Sequence, residues 1–228
     1  MFSVILPTFN EENRVSVVLN ELAFALKKKD CDVIIVDDST DSTVDVVNSF
    51  KKRFKKLRVL HSNERKGKGN AIIRGFKASK SSKALVMDAD SSVSVEQALS
   101  LLDFLSEADV VISSRYLKDS YRSVPFNRWF VSRCFNLLVR LLFGLNYFDT
   151  QCGYKAFNKK AMQIIAKESE SKGFVWDVEM LLIARKHGLQ VKEVPVVWSH
   201  VSGGAPEVHL FRTAWKMLSD LFSLKNRF

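Results

Sequence analysis

Asp88 and Asp90 are the residues from which chemistry is most directly read. They follow four apolar residues, Ala84-Leu85-Val86-Met87, and precede Ser91-Ser92. The apolar run predicts a short buried strand. Side chains at i and i+2 of a strand point the same way, so both carboxylates can converge on one point at its end. Two converging carboxylates suit a hard divalent cation, Mg²⁺ or Mn²⁺. Such a cation also binds phosphate and helps a phosphate leaving group depart. The plainer alternative is a polar turn capping a strand, since Asp and Ser are ordinary turn residues.

Other segments bear on that choice. Val33-Ile34-Ile35-Val36 is a second apolar run, and it ends in Asp37-Asp38 before a cap-rich stretch, Ser39 to Thr43. Gly67-Lys68-Gly69 lies among cations just before a helical pattern, where backbone N–H groups can face phosphate. Its spacing is not that of a P-loop. Arg115 follows the apolar run Val110-Val111-Ile112 and is a candidate phosphate clamp or a surface arginine. Asp177 and Glu179 open a helical pattern, where helix-start chemistry is the plain explanation. His200, in a loop with Gly203 and Gly204, is a metal or substrate ligand or an ordinary surface histidine.

The elements that must position these residues alternate. Phe2 to Leu6 reads as a strand closed by Pro7 and Thr8. Asn10-Glu11-Glu12-Asn13 reads as the start of a helix, with Asn10 as N-cap and Val15, Val18, Leu19, Leu22 and Leu26 at helical spacing. Strand and helix patterns continue through Leu57–Leu60, Ala71–Ala78 and the Asp88/Asp90 strand. The resulting β-α-β-α-β-α-β order predicts an α/β fold with a mostly parallel sheet and helices on both faces. Ligands in such sheets bind at the carboxyl ends of the strands, where both acidic pairs fall. Further on, Val95–Leu105 reads as a helix and Asp109–Ser113 as a strand. Phe148–Phe157 reads as a polar, glycine-containing stretch. Val191–Trp198 reads as one last strand, with Pro195 suggesting an edge.

Composition sets the partner class. The chain has 228 residues, 46% apolar and 26% charged, a globular balance with length for one sizeable core. The net charge of +10 favours an anionic partner. Lys51 to Lys56 reads as a solvated helix end. A nucleic-acid-binding reading leaves the two strand-end Asp pairs unexplained, so no nucleic acid is expected. Cys31, Cys134 and Cys152 include no CxxC pair, which fits a reducing compartment. No signal-peptide pattern opens the chain, and no apolar run reaches a membrane span. Two stretches, Arg122–Asn146 and Phe211–Arg227, interleave Trp, Phe and Leu with Arg and Lys. They read as amphipathic helices lying in a membrane interface, or as helices packed on the core.

Together these motifs resemble family 2 glycosyltransferases of the GT-A type. The residues are Val4-Ile-Leu-Pro-Thr-Phe-Asn-Glu-Glu12, Val36-Asp-Asp-Ser39, Gly67-Lys-Gly69 and Asp88-Ala-Asp90, in the family's order. The resemblance covers essentially the whole chain and is specifically to the polyprenyl-phosphate sugar synthases. Asp149-Thr-Gln-Cys-Gly-Tyr-Lys-Ala-Phe157 and Trp176-Asp-Val-Glu179 look more like dolichyl-phosphate β-glucosyltransferases than mannose synthases. It implies one GT-A domain over 1–228, with a nucleotide-sugar half at 1–115 and an acceptor and membrane-facing half at 116–228. Pro7, Thr8, Glu11, Asp37, Asp38, Lys68, Asp88 and Arg115 would bind the nucleotide-sugar. Asp88 and Asp90 would hold Mg²⁺ or Mn²⁺. Asp149 and Asp177 join them as catalytic candidates, with Gln151, Trp176 and Glu179 at the sugar and acceptor. Arg122, Arg128 and Arg133 are nominated for the lipid phosphate. One departure stands out. Mannose synthases often carry Gln two residues after the second Asp, but here that position is Ser92, implying a metal held with more water.

The implied reaction is inverting transfer of a hexose from UDP-glucose to dolichyl phosphate or another polyprenyl phosphate. The alternatives are a GDP-mannose donor, or a same-fold transferase to a soluble hydroxyl. A phosphate acceptor is already anionic and needs no strong general base; a hydroxyl would call on Asp149 or Asp177. The protein is expected to be peripheral, on the cytoplasmic face of a membrane.

Overall fold

The structure, a computed structural model, describes residues 1–124, 126–199 and 210–228, without the side chains of 127–128 and 210–216. The first half alternates as its hydrophobic pattern dictates: β1 (Phe2–Thr8), α1 (Val15–Ala25), β2 (Cys31–Asp37), α2 (Thr43–Ser49), β3 (Leu57–His61), α3 (Lys68–Ala78) and β4 (Lys83–Val86). Next come α4 (Val95–Ser100), β5 (Val110–Ser114), β6 (Tyr121–Ser123) and α5 (Phe126–Phe143). The chain continues with β7 (Lys155–Asn158), α6 (Lys159–Glu168), α7 (Trp176–Lys186), β8 (Val191–Pro195), β9 (Val197–Ser199) and α8 (Leu210–Lys225).

Seven strands form one sheet in the order β3-β2-β1-β4-β7-β5-β8, and β6 pairs with β9 apart from it. All neighbours in the large sheet are parallel except β7, which runs antiparallel to both β4 and β5. Alternate residues serve opposite faces. Ile34 and Val36 of β2 join Ile5 and Val86 in a core with α3, α6 and α7. Val33 and Ile35 join Val4, Leu6 and Leu85 in a second core with α1 and α4. Burial on both faces is why these strands read as continuous apolar runs. Phe76, Phe157 and Trp176 anchor the first core, with ring centroids 5.0 to 6.4 Å apart.

Three expectations need correction. The first helix starts at Val15 rather than Asn10. Asn10 instead adopts a left-handed φ of 55°, which Asn tolerates. The backbone N–H groups of residues 10, 11 and 12 are drawn off to Ser39, Thr43 and Asp41, so this stretch is a loop tied to the β2–α2 loop. Second, the polar stretch before Phe157 ends in β7, which is held by hydrogen bonding on both edges. Third, the last strand breaks at Val196. β8 is an edge strand, as Pro195 suggested, while β9 leaves for β6.

The register brings all the candidate chemistry to one rim. Thr8 lies beside Asp37, and Asp37 beside His61. Because β7 is antiparallel, its first residue, Lys155, lies beside Val86 and Ile112 at the carboxyl ends of β4 and β5.

Candidate active site at the carboxyl rim

Asp88, Asp90, Asp149 and Asp177 gather on the part of this rim around β4, β5 and β7, and three of them carry a cation. Asp88 pairs with Lys68 at 2.7 Å, Asp149 with Arg115 at 2.6 Å and Asp177 with Lys155 at 2.6 Å. Asp90, among the described residues, has no ion pair. Its Oδ1 accepts from the Ser92 backbone N–H at 3.0 Å and from the Tyr154 hydroxyl at 3.3 Å. Its Oδ2 takes no hydrogen bond from the described residues. The rim therefore keeps one uncompensated carboxylate two positions from a half-buried one.

Asp88 is seated by a missing side chain. A Cβ on Gly153 would come within 1.8 Å of Asp88 Oδ2. Burial would raise the Asp88 pKa, but the Lys68 ammonium holds it below the ordinary carboxylate value. Burial in turn works against the Lys68 charge, yet Asp88, with Asp177 and Asp90 beyond it, keeps that pKa raised. Ser92 is buried, and its hydroxyl meets that of Tyr154 at 3.4 Å.

Asp149 is committed to structure. Two guanidinium N–H groups of Arg115 and the Arg115 and Gln151 backbone N–H groups donate to it. Burial pushes its pKa up, but Arg115 and these hydrogen bonds bring it below the usual range. Arg115 is accordingly spent on Asp149 rather than left open as a clamp. Glu193, which sequence reasoning missed, accepts from the backbone N–H groups of Phe148 and Asp149 and sets that turn. Lys155 was also missed; it and Asp177 are 1% and 4% exposed, and Lys155 also donates to the Cys152 carbonyl. A lone lysine inside the otherwise apolar Tyr154–Phe157 run was the available signal.

Trp176 and Glu179, expected at the acceptor, are placed elsewhere. Trp176 is 1% exposed within the aromatic core. Glu179 is fully buried and accepts from the backbone N–H groups of Glu170 and Ser171. Gln151 stays near the rim, and its buried amide nitrogen has no hydrogen-bond partner among the described residues.

On the nucleotide side, β1 supplies Pro7 and Thr8. The expected ribose or base ligands are already occupied. Asp37 accepts from the Thr8 and Ser39 hydroxyls and the Ser39 backbone N–H, and pairs with His61. Asp38 accepts from the Lys66 backbone N–H and from Arg74. The strand register places these partners, and the two aspartates fasten the loops that flank the rim. Glu11 pairs with Arg14, and its pKa is raised by burial, with Asp90 and Asp88 adding to the effect.

Tyr116 gathers the outer cations. The guanidinium of Arg133 lies 4.7 Å from its ring centre, that of Arg122 4.9 Å and that of Arg115 5.6 Å. The Arg128 side chain and His200 lie outside the described residues. Beside this cluster, Phe126, Phe130, Leu137 and Leu141 of α5 are all exposed. At ~100° per residue they fall within about 60° on one face of the helix. The opposite face sends Val139 and Phe143 into the core. Among the described residues no helix is long and apolar enough to cross a membrane.

The donor set fits a hard divalent cation: two carboxylates, one without a counter-charge, on the rim where the strands end. Among the described residues no group of three or more His, Cys, Asp or Glu side chains gathers for a metal. Such a cation would therefore complete its shell with phosphate and water.

A sequence model of glycosyl transferase family 2 matches residues 3–165. Glycosyltransferase AglD of Haloferax volcanii is 32% identical over 96% of this chain, which spans 36% of that protein's length. The dolichyl-phosphate beta-glucosyltransferase of Saccharomyces cerevisiae is 29% identical over 98% of this chain and 73% of its own. The undecaprenyl-phosphate mannosyltransferase of Micrococcus luteus is 33% identical over 98% of this chain and 97% of its own. Among solved structures, glucosyl-3-phosphoglycerate synthase from Mycobacterium tuberculosis, with Mn²⁺, UDP-glucose and phosphoglyceric acid, superposes with a TM-score of 0.76. It is 19% identical and is matched over 99% of this chain and 80% of its own, a likeness of fold.

Proposed function

The chain belongs to glycosyl transferase family 2, and on that premise we propose that it moves a hexose from a nucleotide-diphosphate sugar, UDP-glucose, to a polyprenyl phosphate. The observation that carries this reading is the state of the rim carboxylates. Asp149 and Asp177 are ion-paired and buried, so neither is available to take a proton. A hydroxyl acceptor needs such a base, whereas a phosphate acceptor arrives ionised. The names of the yeast and Micrococcus relatives point to the same acceptor class.

A phosphate oxygen of the lipid attacks the anomeric carbon. The bond from that carbon to the diphosphate breaks on the opposite side, and the nucleoside diphosphate leaves with the electron pair. Asp90 and Asp88 would hold Mg²⁺ or Mn²⁺, whose chemistry is to neutralise charge on the departing diphosphate. Lys68, beside Asp88, adds a fixed positive charge at the same place. Gly153 leaves room for the Asp88 carboxylate. Arg122 and Arg133, gathered on Tyr116, would bind the lipid phosphate. The exposed stripe of α5 would lie in the membrane interface next to them. Such a protein works peripherally, on the cytoplasmic face.

The test is transfer of radiolabelled sugar into organic-extractable lipid. The incubation holds dolichyl phosphate, Mg²⁺ or Mn²⁺, and UDP-glucose or GDP-mannose, with D90A alongside. The expected result is lipid label from UDP-glucose that is lost with EDTA and in D90A. Label from GDP-mannose alone would replace the donor. Label only in water-soluble products would overturn the acceptor.

A further inference from the structure

The loop that carries Lys68 does not hold itself in place. Gly67 has a φ of +89°, and a Cβ there would meet the Lys172 carbonyl oxygen at 2.4 Å. A Cβ on Gly69 would meet the Ser171 carbonyl oxygen at 2.5 Å. The two glycines thus let the start of α3 press against the backbone of residues 171–172. The Gly69 and Asn70 N–H groups donate to the Lys172 carbonyl at 2.9 and 3.3 Å. This second loop, between α6 and α7, is itself tied down by Glu179. One Glu179 oxygen accepts from the Glu170 N–H at 2.9 Å, and the other from the Ser171 N–H at 3.0 Å.

Glu179 is fully buried, and its partner comes from beyond the end of α8. Arg227 donates through one guanidinium nitrogen to Glu179 and through the other to the Glu168 carbonyl. Glu170 lies 3.5 Å from the same guanidinium. Leu224 and Leu221, about one and two turns earlier, are buried in the core and seat this end of the helix. A continuous set of hydrogen bonds therefore runs from Arg227 through Glu179 and residues 170–172 to Gly69, next to the lysine that faces Asp88.

We propose that Glu179 and Arg227 are positioning residues that hold the Lys68 loop against Asp88, so that the seating of α8 governs how tightly the donor site is formed. The naming of that site as the donor site rests on the proposed function above; the mechanical link does not. The near-isosteric changes E179Q and R227K have distinct meanings. E179Q keeps one carbonyl acceptor and loses the charge that Arg227 meets. R227K keeps the charge and loses the second fork donor.

The test compares R227A, R227K and E179Q with the unmodified chain by amide hydrogen exchange and by steady-state kinetics. R227A and E179Q are expected to exchange the Gly69 and Asn70 amides roughly tenfold faster, with β1 amides unchanged, as a local opening does. R227K should restore most of the protection. With UDP-glucose as probe, KM is expected to rise about tenfold and kcat to move by less than about twofold, the pattern of lost ground-state positioning. Arg227 is partly exposed, so R227A tests the link even if E179Q does not fold. Unchanged exchange at Gly69 and Asn70 in R227A overturns the proposal. Failure of the unmodified chain to turn over UDP-glucose would instead remove the donor assignment, and exchange would still decide the link.

Discussion

Among the described residues, Asp90 differs from its neighbours in making no ion pair. D90A is therefore expected to lower kcat by roughly a hundredfold or more with the fold intact, as loss of a charge-stabilising group does; sugar transfer and circular dichroism check this together. G153A tests the other carboxylate. Its methyl must displace the Asp88 carboxylate, so metal affinity measured by calorimetry with Mn²⁺ should fall. Lys155 makes the opposite case. K155M leaves Asp177 buried without a partner and is expected to cost about 3–5 kcal/mol in urea unfolding. What could be read at this scale followed range. Asp88 and Asp90 announce themselves because their geometry is local, two positions apart in the turn just beyond the end of β4 rather than on the strand itself. Glu179, Lys155 and Glu193 did not, because their partners lie 8 to 48 residues away and only the folded sheet brings them together.

At the scale of elements, the strands of the first half were legible because burial on both faces leaves continuous apolar runs. The start of α1 was not, because a competing set of hydrogen bonds to the β2–α2 loop takes the N–H groups that a capped helix would have used. β7 escaped for a related reason: four residues carry little periodicity, and their strand character comes from neighbours on both sides. α5 packs one face on the core, as one of the two readings had it, and leaves the other exposed. That two-sided helix makes a prediction of its own. Replacing Phe130 and Leu141 by Ser should weaken sedimentation with vesicles containing anionic phosphatidylglycerol several-fold, since each lost apolar side chain removes about 1.5–3 kcal/mol of burial. Solution stability should be unchanged, because both side chains already face solvent.

For the whole molecule, the charge of +10 predicts that vesicle binding falls steeply between low and physiological salt, over which the screening length contracts from ~30 to ~8 Å. The pH dependence of stability has a different source. Hydrogen bonds that the His61 ring donates to Asp37, then to Asn63, raise its pKa above its unfolded value. That contribution is complete below the unfolded value of about 6.5 and fades as pH climbs through the folded one. Urea midpoints measured from pH 6 to 9 should show this decline, and H61Q should flatten it. The sheet order has a consequence for the making of the protein. β4 and β5 are joined only through β7, a strand contributed by residues 155–158. On the ribosome, the first 115 residues can emerge with two strands whose shared edge partner has not yet been translated. Any chain interrupted before residue 155 would keep those edges open, and open edges recruit other chains. Nonsense or frameshift products ending in that interval are thus expected to precipitate rather than persist as a soluble fragment.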